Sequence, residues 1–251
     1  MALAIDVSTP AITSAAAATC TTAAFTTPAA VLLVALVGRD TGVAAANSLG
    51  TVSGAGLTWT LAGRKTDSTG ATGVITGGTA QPGCVDVWWA YSAAALTSAT
   101  ITDTRADNGT KNHALKVMVL TGAETTWAGA VAANGAASGL PTVTLTTTAG
   151  NAWVFAASLD WAQKGLGTAD TGQTIVDEFN STSNITFHVW RQTSTTAASG
   201  TSVTNDLTAP AAEQYNIVGI ELRAVAGGGG AAVSPRRMTV VRQAPMRAAN
   251  F

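Results

Sequence analysis

Charge is scarce in this chain of 251 residues: Asp, Glu, Lys and Arg together make up 11%, less than half the usual share of about 25%. With hydrophobic residues at 47%, the scarcity does not signal disorder. It means that Thr, Ser and Asn must do most of the solvating. Cysteine is scarce too. Cys20 and Cys84 are too few for a disulfide framework or a zinc site, and read as small buried residues or as a single bridge. The two histidines, His113 and His188, form no HxH or HExxH pattern. His113 reads as a turn or strand-start residue and His188 as a half-buried strand residue. No apolar run reaches the 18 or so residues of a membrane helix; the strongest, Val31–Val37, is strand length. The N-terminus carries Asp6 and no basic cluster, so no signal peptide is expected and the cytoplasm is the expected site of synthesis.

Motifs for chemistry are missing as well. GxSxG, Walker and Rossmann glycine patterns do not occur. Asp177-Glu178 is the one adjacent acidic pair, and neighbours on a strand face opposite ways, which does not suit paired-carboxylate hydrolysis. Asp103 to Gly109 does not match a calcium loop, since Arg105 would oppose the cation; an Asp-Asn-Gly turn is the better reading. No catalytic residue, metal ligand or cofactor site is assigned, and the chain is not expected to be an enzyme.

What is present is threonine, glycine and period-2 patterning. Thr is β-branched and favours strands, where its hydroxyl can face water. Val31–Val37 reads as a central strand covered on both faces. Leu57, Trp59 and Leu61 share one face, as do Val85, Val87 and Trp89, with Asp86, Trp88 and Ala90 opposite. Ala99–Thr104 reads as a short, more exposed strand. Leu115, Val117 and Val119 form another row. The second half repeats the style, with strands over Val143–Thr148, Trp153–Ala157, Thr174–Phe179, Ile185–Gln192, Thr201–Thr204 and Asn216–Arg223, and a hairpin loop at Asn180–Asn184. Ala11–Ala18 is helical in composition but flanked by Thr and Ser. Residues 63–83, with six glycines and one proline, read as a long loop. Ten to thirteen strands in all give an all-β fold, a β-sandwich of jelly-roll or immunoglobulin-like type over residues 1–226.

Gly227–Gly230 then form a linker with little conformational preference. Beyond it, residues 231–251 make an extended arm with Arg236, Arg237, Arg242 and Arg247 and no carboxylate, so of 13 basic residues 9 remain in the body against all 14 acidic ones. The arm has a single aromatic, Phe251, and the body offers no basic surface to continue it, which favours a protein partner over nucleic acid. The expected contacts are the four arginines, Phe251, and Val240 and Val241, which could add an edge strand to a neighbour. Trp127 and Trp161 are candidates for stacking on a host cell-surface glycan, with core packing as the alternative.

The segments Phe25–Val34, Gly56–Leu61, Val87–Ala90, Leu115–Ala123, Trp153–Trp161 and Trp190–Thr193 resemble, in order and character, a β-sandwich family of actinobacteriophage virion proteins often labelled minor tail proteins. The resemblance spans roughly residues 20–223 and is a pattern of core strands. It implies no cofactor and no catalytic residues; the expected setting is a virion assembled in the host cytoplasm, with other virion proteins as partners and a homo-oligomeric state. A tail, tail-tip or fibre component is the leading expectation. A head decoration protein and a carbohydrate-binding adhesion module are the alternatives.

Overall fold

The computed structural model describes residues 2–40, 49–66, 83–106, 111–127, 129–161, 164–181 and 185–225. Among them are nineteen strands and no helix. In the first half these are β1 (Ala4–Ile5), β2 (Thr13–Ala15), β3 (Thr19–Thr21), β4 (Phe25–Thr27), β5 (Val31–Arg39), β6 (Gly50–Gly54), β7 (Thr60–Thr66), β8 (Cys84–Ser92), β9 (Leu96–Ala99), β10 (Ile101–Arg105) and β11 (His113–Thr121). In the second half they are β12 (Val131–Gly139), β13 (Thr142–Thr146), β14 (Trp153–Asp160), β15 (Thr168–Ala169), β16 (Gln173–Asn180), β17 (Thr186–Gln192), β18 (Ser202–Ala209) and β19 (Glu213–Leu222).

The body is a β-sandwich built twice. In the first half, β11, β5, β8 and β7 lie side by side in that order, with β1 and β2 both on the outer edge of β11; β3, β10 and β6 form a smaller sheet. In the second half, β12, β19, β14, β17 and β16 repeat the first arrangement, and β13, β18 and β15 repeat the second. In each unit the first strand pairs the last, the second pairs the seventh and the third pairs the sixth. That nesting is the winding of a jelly roll. The all-β sandwich expected from the sequence is present, wound as two such units. The interrupted edge β1/β2 takes the place of β12, and β4–β9 is a small ribbon added to the first unit.

Four sheet layers result, and they explain the unbroken apolar run of β5. Leu32, Val34 and Leu36 face the second unit, where they share one core with Phe155, Leu159, Phe187, Val189, Val218 and Ile220. Val31, Leu33, Ala35 and Val37 face the small sheet of their own unit and pack with Cys20, Val52 and Ile101. The second unit closes likewise over Val143, Trp190, Leu207, Tyr215 and Ile217. At Gly38 the two large sheets meet so closely that a Cβ would lie 2.5 Å from Phe187 Cδ2. A clamp joins the units at one edge: Lys116 Nζ donates to Asp177 Oδ2 and to Pro10 O, both at 2.7 Å, and Ile12 N–H donates to the same carboxylate oxygen at 3.0 Å.

Several local expectations change. The alternating segment beginning at Leu57 becomes a strand only from Thr60, and the strand runs on through Gly63–Thr66, residues read as loop, with Arg64 and Lys65 buried. Residues 67–82 lie outside the described residues, as do 107–110, where the Asp-Asn-Gly turn was expected. Ala99–Thr104 has one buried face: Ala99, Ile101 and Asp103 are buried, as is Arg105 beyond them, while Thr100 is exposed. Thr13–Ala15 within the Ala-rich segment is strand. Cys20 and Cys84 are both buried free thiols, so there is no bridge between them.

Candidate functional site

Polar chemistry collects at one place in each unit, at corresponding strand positions. Arg39 pairs with Cys84 in register, and Arg64 with Asp86. In the second unit Asp160 pairs with Thr186, and Glu178 with His188. Arg39 thus corresponds to Asp160, Arg64 to Glu178 and Asp86 to His188. The positions are the same, with carboxylates in place of the two arginines and a histidine in place of Asp86.

In the first unit, Arg39 Nη1 donates to Asp86 Oδ2 at 2.6 Å, its Nε donates to Asp103 Oδ2 at 3.0 Å, and its Nη2 also reaches Asp103. Arg64 grips Asp86 from the neighbouring strand, and His113 Nδ1 lies 2.6 Å from Asp103 Oδ2. Arg39, Asp86, Asp103 and His113 are buried completely. The guanidinium of Arg39 fits because residue 50 is glycine: a Cβ there would sit 2.9 Å from Arg39 Cζ and 2.5 Å from Thr104 O. Burial works against the charge of Asp86, but Arg39 and Arg64 overcome it and bring the carboxyl down to about 2. Asp103 is lowered in the same way, against burial, by Arg39 and His113. The thiol of Cys84 donates to Asp86 Oδ1 at 3.0 Å, and burial, with Asp86 adding to it, pushes its pKa well up, so it is a poor nucleophile.

The second node is less well compensated. His188 Nδ1 lies 2.8 Å from Glu178 Oε1, which also accepts the Gly167 N–H at 2.7 Å. Asp160 accepts backbone N–H groups from Lys164 at 2.7 Å and Gln214 at 3.2 Å. Glu213 is wholly buried, and among the described residues neither of its carboxyl oxygens has a hydrogen-bond partner. His188 Nε2 is 3.6 Å away, too far for a hydrogen bond. Burial first, then the nearby Asp160 and Glu178, raise Glu213 to about 8. It holds its proton at neutral pH and sits in the core as a neutral acid. No group of three or more His, Cys, Asp or Glu side chains among the described residues is arranged to hold a metal ion. The first node is buried, and the second is buried except at Glu178, which is half-buried.

Of the residues singled out from the sequence, Arg236, Arg237, Val240, Val241, Arg242, Arg247 and Phe251 lie outside the described residues. Trp127 is half-buried and lines a shallow hollow with Leu32, Glu124 and Arg223, beside the Arg223–Glu124 contact at 3.4 Å. Trp161 is half-buried, packs against the shared core beside Gly83, and has its indole N–H enclosed. Trp88 donates from Nε1 to Asp86 Oδ2 at 3.3 Å. His188 is fully buried rather than half-buried, because the small sheet and β19 cover its face. The adjacent acids divide as expected: Asp177 reaches Lys116 and Glu178 reaches His188, on opposite faces of β16.

The outer faces of the small sheets carry the hydroxyls. Thr21 and Thr102 share a hydrogen bond at 2.9 Å, and the corresponding Thr144 and Thr204 share one at 2.8 Å. Among the described residues no helix is long and apolar enough to cross a membrane. Comparisons with protein-family models, with curated proteins and with solved structures gave no match.

Proposed function

We propose that this chain is a structural protein of a tailed-bacteriophage virion, a minor tail, tail-tip or fibre component held in place through its C-terminal arm. The observation that carries this reading is where the charges lie. Of 27 charged side chains in the sequence, eleven are buried in the body: Arg39, Asp40, Arg64, Lys65, Asp86, Asp103, Arg105, Lys116, Asp160, Glu213 and Glu221. Four more are the arginines of residues 231–251. The outside of the double sandwich is left with hydroxyl rows and few charges, a surface with little electrostatic resistance to close packing against neighbours. The setting rests on the resemblance of the segment pattern to actinobacteriophage virion proteins. Arg236, Arg237, Arg242, Arg247, Val240, Val241 and Phe251 are the proposed assembly contacts.

The test is a phage whose copy of this protein stops at residue 230. Its particles should lose at least nine-tenths of the protein. Full occupancy by the truncated chain would refute the arm as anchor. Labelling the protein in intact particles places it: signal on the tail is expected, and signal on the capsid would replace the tail reading with head decoration.

A further inference from the structure

The reading of the arm as an assembly element leaves open what receives it, and the sheet edges answer that. An exposed strand edge presents unpaired N–H and C=O groups, and proteins guard such edges with charges, proline, bulges or brevity. Most edges here are guarded. β16 carries Asp177, Glu178 and a bulge, and β7 carries Arg64, Lys65 and a bulge. The β1/β2 edge is broken by residues 6–12, which include Pro10, and β3, β6, β13 and β15 have five residues or fewer. β12 differs. Its first six residues, Val-Ala-Ala-Asn-Gly-Ala from Val131 to Ala136, hold neither charge nor proline, and they pair with β19 in unbroken register until a bulge after Ala136. Among the described residues nothing pairs with its other side.

The backbone of this edge points outward at alternate residues. Glu221 N–H donates to Ala130 O at 2.8 Å, so residue 130 bonds inward to β19. By the alternation of an antiparallel ladder, Val131, Ala133 and Gly135 turn their N–H and C=O groups to the open side. Gly135 N–H is taken by Asn134 Oδ1 at 2.8 Å, which leaves those of Val131 and Ala133.

We infer that this edge takes up residues 238–242 of the arm, Met-Thr-Val-Val-Arg, from a neighbouring copy of the chain. The arm's exit, length and sequence suit this edge, and the assembly reading above sets the arm in a neighbouring copy. The chain leaves the body at the right place: Val225 N–H bonds Gly122 O, Ala224 bridges Ala123, and Ile220 lies opposite Val131 at the start of β12. Beyond Val225 there are 26 residues, beginning with Ala226 and the glycine run, and Thr239 stands fourteen residues out, a reach of up to roughly 45 Å when extended. Thr239, Val240 and Val241 are the one β-branched triplet of the arm, enclosed between Pro235 and Pro245, and strand addition draws its affinity from such main-chain pairing.

The experiment is hydrogen exchange on the purified full chain, on the chain ending at residue 230 and on Val240→Pro, a change outside the described residues. At concentrations where the full chain self-associates, the amides of Val131 and Ala133 should exchange at least tenfold more slowly than in the truncated chain. Val240→Pro should abolish that protection, and dilution should release it. Equal exchange in the full and truncated chains would overturn the proposal, as would protection that survives Val240→Pro. Protection independent of dilution would overturn it too, by showing that each chain uses its own arm. Because these measurements need no particle, their failure leaves the virion reading to be judged by the truncated phage.

Discussion

At the scale of single residues, the two buried nodes make opposite use of the same positions. In the first unit two cations and two carboxylates neutralise each other. Removing one partner leaves an uncompensated buried charge, so Asp86→Asn should destabilise the fold by about 3–5 kcal/mol in urea titration. The folded carboxyl at about 2 is below its ordinary 3.8, so its contribution is complete above 3.8 and is lost as pH falls through 2. Unfolding midpoints of the parent should drop across that acid window. Glu213 has the reverse sign. Its folded pKa of about 8 exceeds the ordinary 4.5, so the folded state keeps a proton that the unfolded state releases. Stability contributed by the protonated form is full below 4.5 and declines until pH passes 8, at up to about 1.4 kcal/mol per pH unit. Glu213→Gln cannot ionise. It should match the parent within about 1 kcal/mol at pH 4 and exceed it by a few kcal/mol at pH 9. Equal pH profiles for the two proteins would contradict this account of the second node.

At the scale of elements, the strands that could be read from sequence were those whose two faces differ or whose run is wholly apolar. β5, β8, β11, β14, β17 and β19 fall where alternation or continuous Val, Leu and Ile placed them, because burial between layers dictates those patterns. β12 was not legible. Val-Ala-Ala-Asn-Gly-Ala has weak strand preference, and it is held as a strand by its pairing with β19. Gly63–Thr66 looked like loop because Gly, Arg and Lys stand together, yet Arg64 is drawn in by Asp86, 22 residues away in sequence. The nodes escaped for the same reason: their members come from separate strands and form no local motif. The one trace of them was Asp86, a charge inside an apolar row. Close packing between elements makes its own prediction. Gly38→Ala would set a methyl against Phe187 and against Leu159 Cδ1, 3.0 Å away, and should cost about 1–3 kcal/mol in equilibrium unfolding. A neutral result would mean that the large sheets are less tightly apposed than the geometry states.

At the scale of the whole molecule, the duplicated jelly roll explains how a chain with so little charge holds a large core. Each unit supplies one face of the central layer, so neither can close without the other. Leu32, Val34, Leu36, Val85 and Val87 would be bared in one, and Phe155, Phe187, Val189 and Ile220 in the other. The Lys116–Asp177 clamp and the Ala123–Ala224 bridge tie the same pair at its edges. Outside, the described surface carries few charges for its size. The most direct measurement of this account is the calorimetric unfolding of residues 1–225. A single transition is expected, with calorimetric and van't Hoff enthalpies equal, because the shared core makes the two units one cooperative whole. Two separable transitions, or a stable isolated second unit spanning residues 129–225, would contradict it.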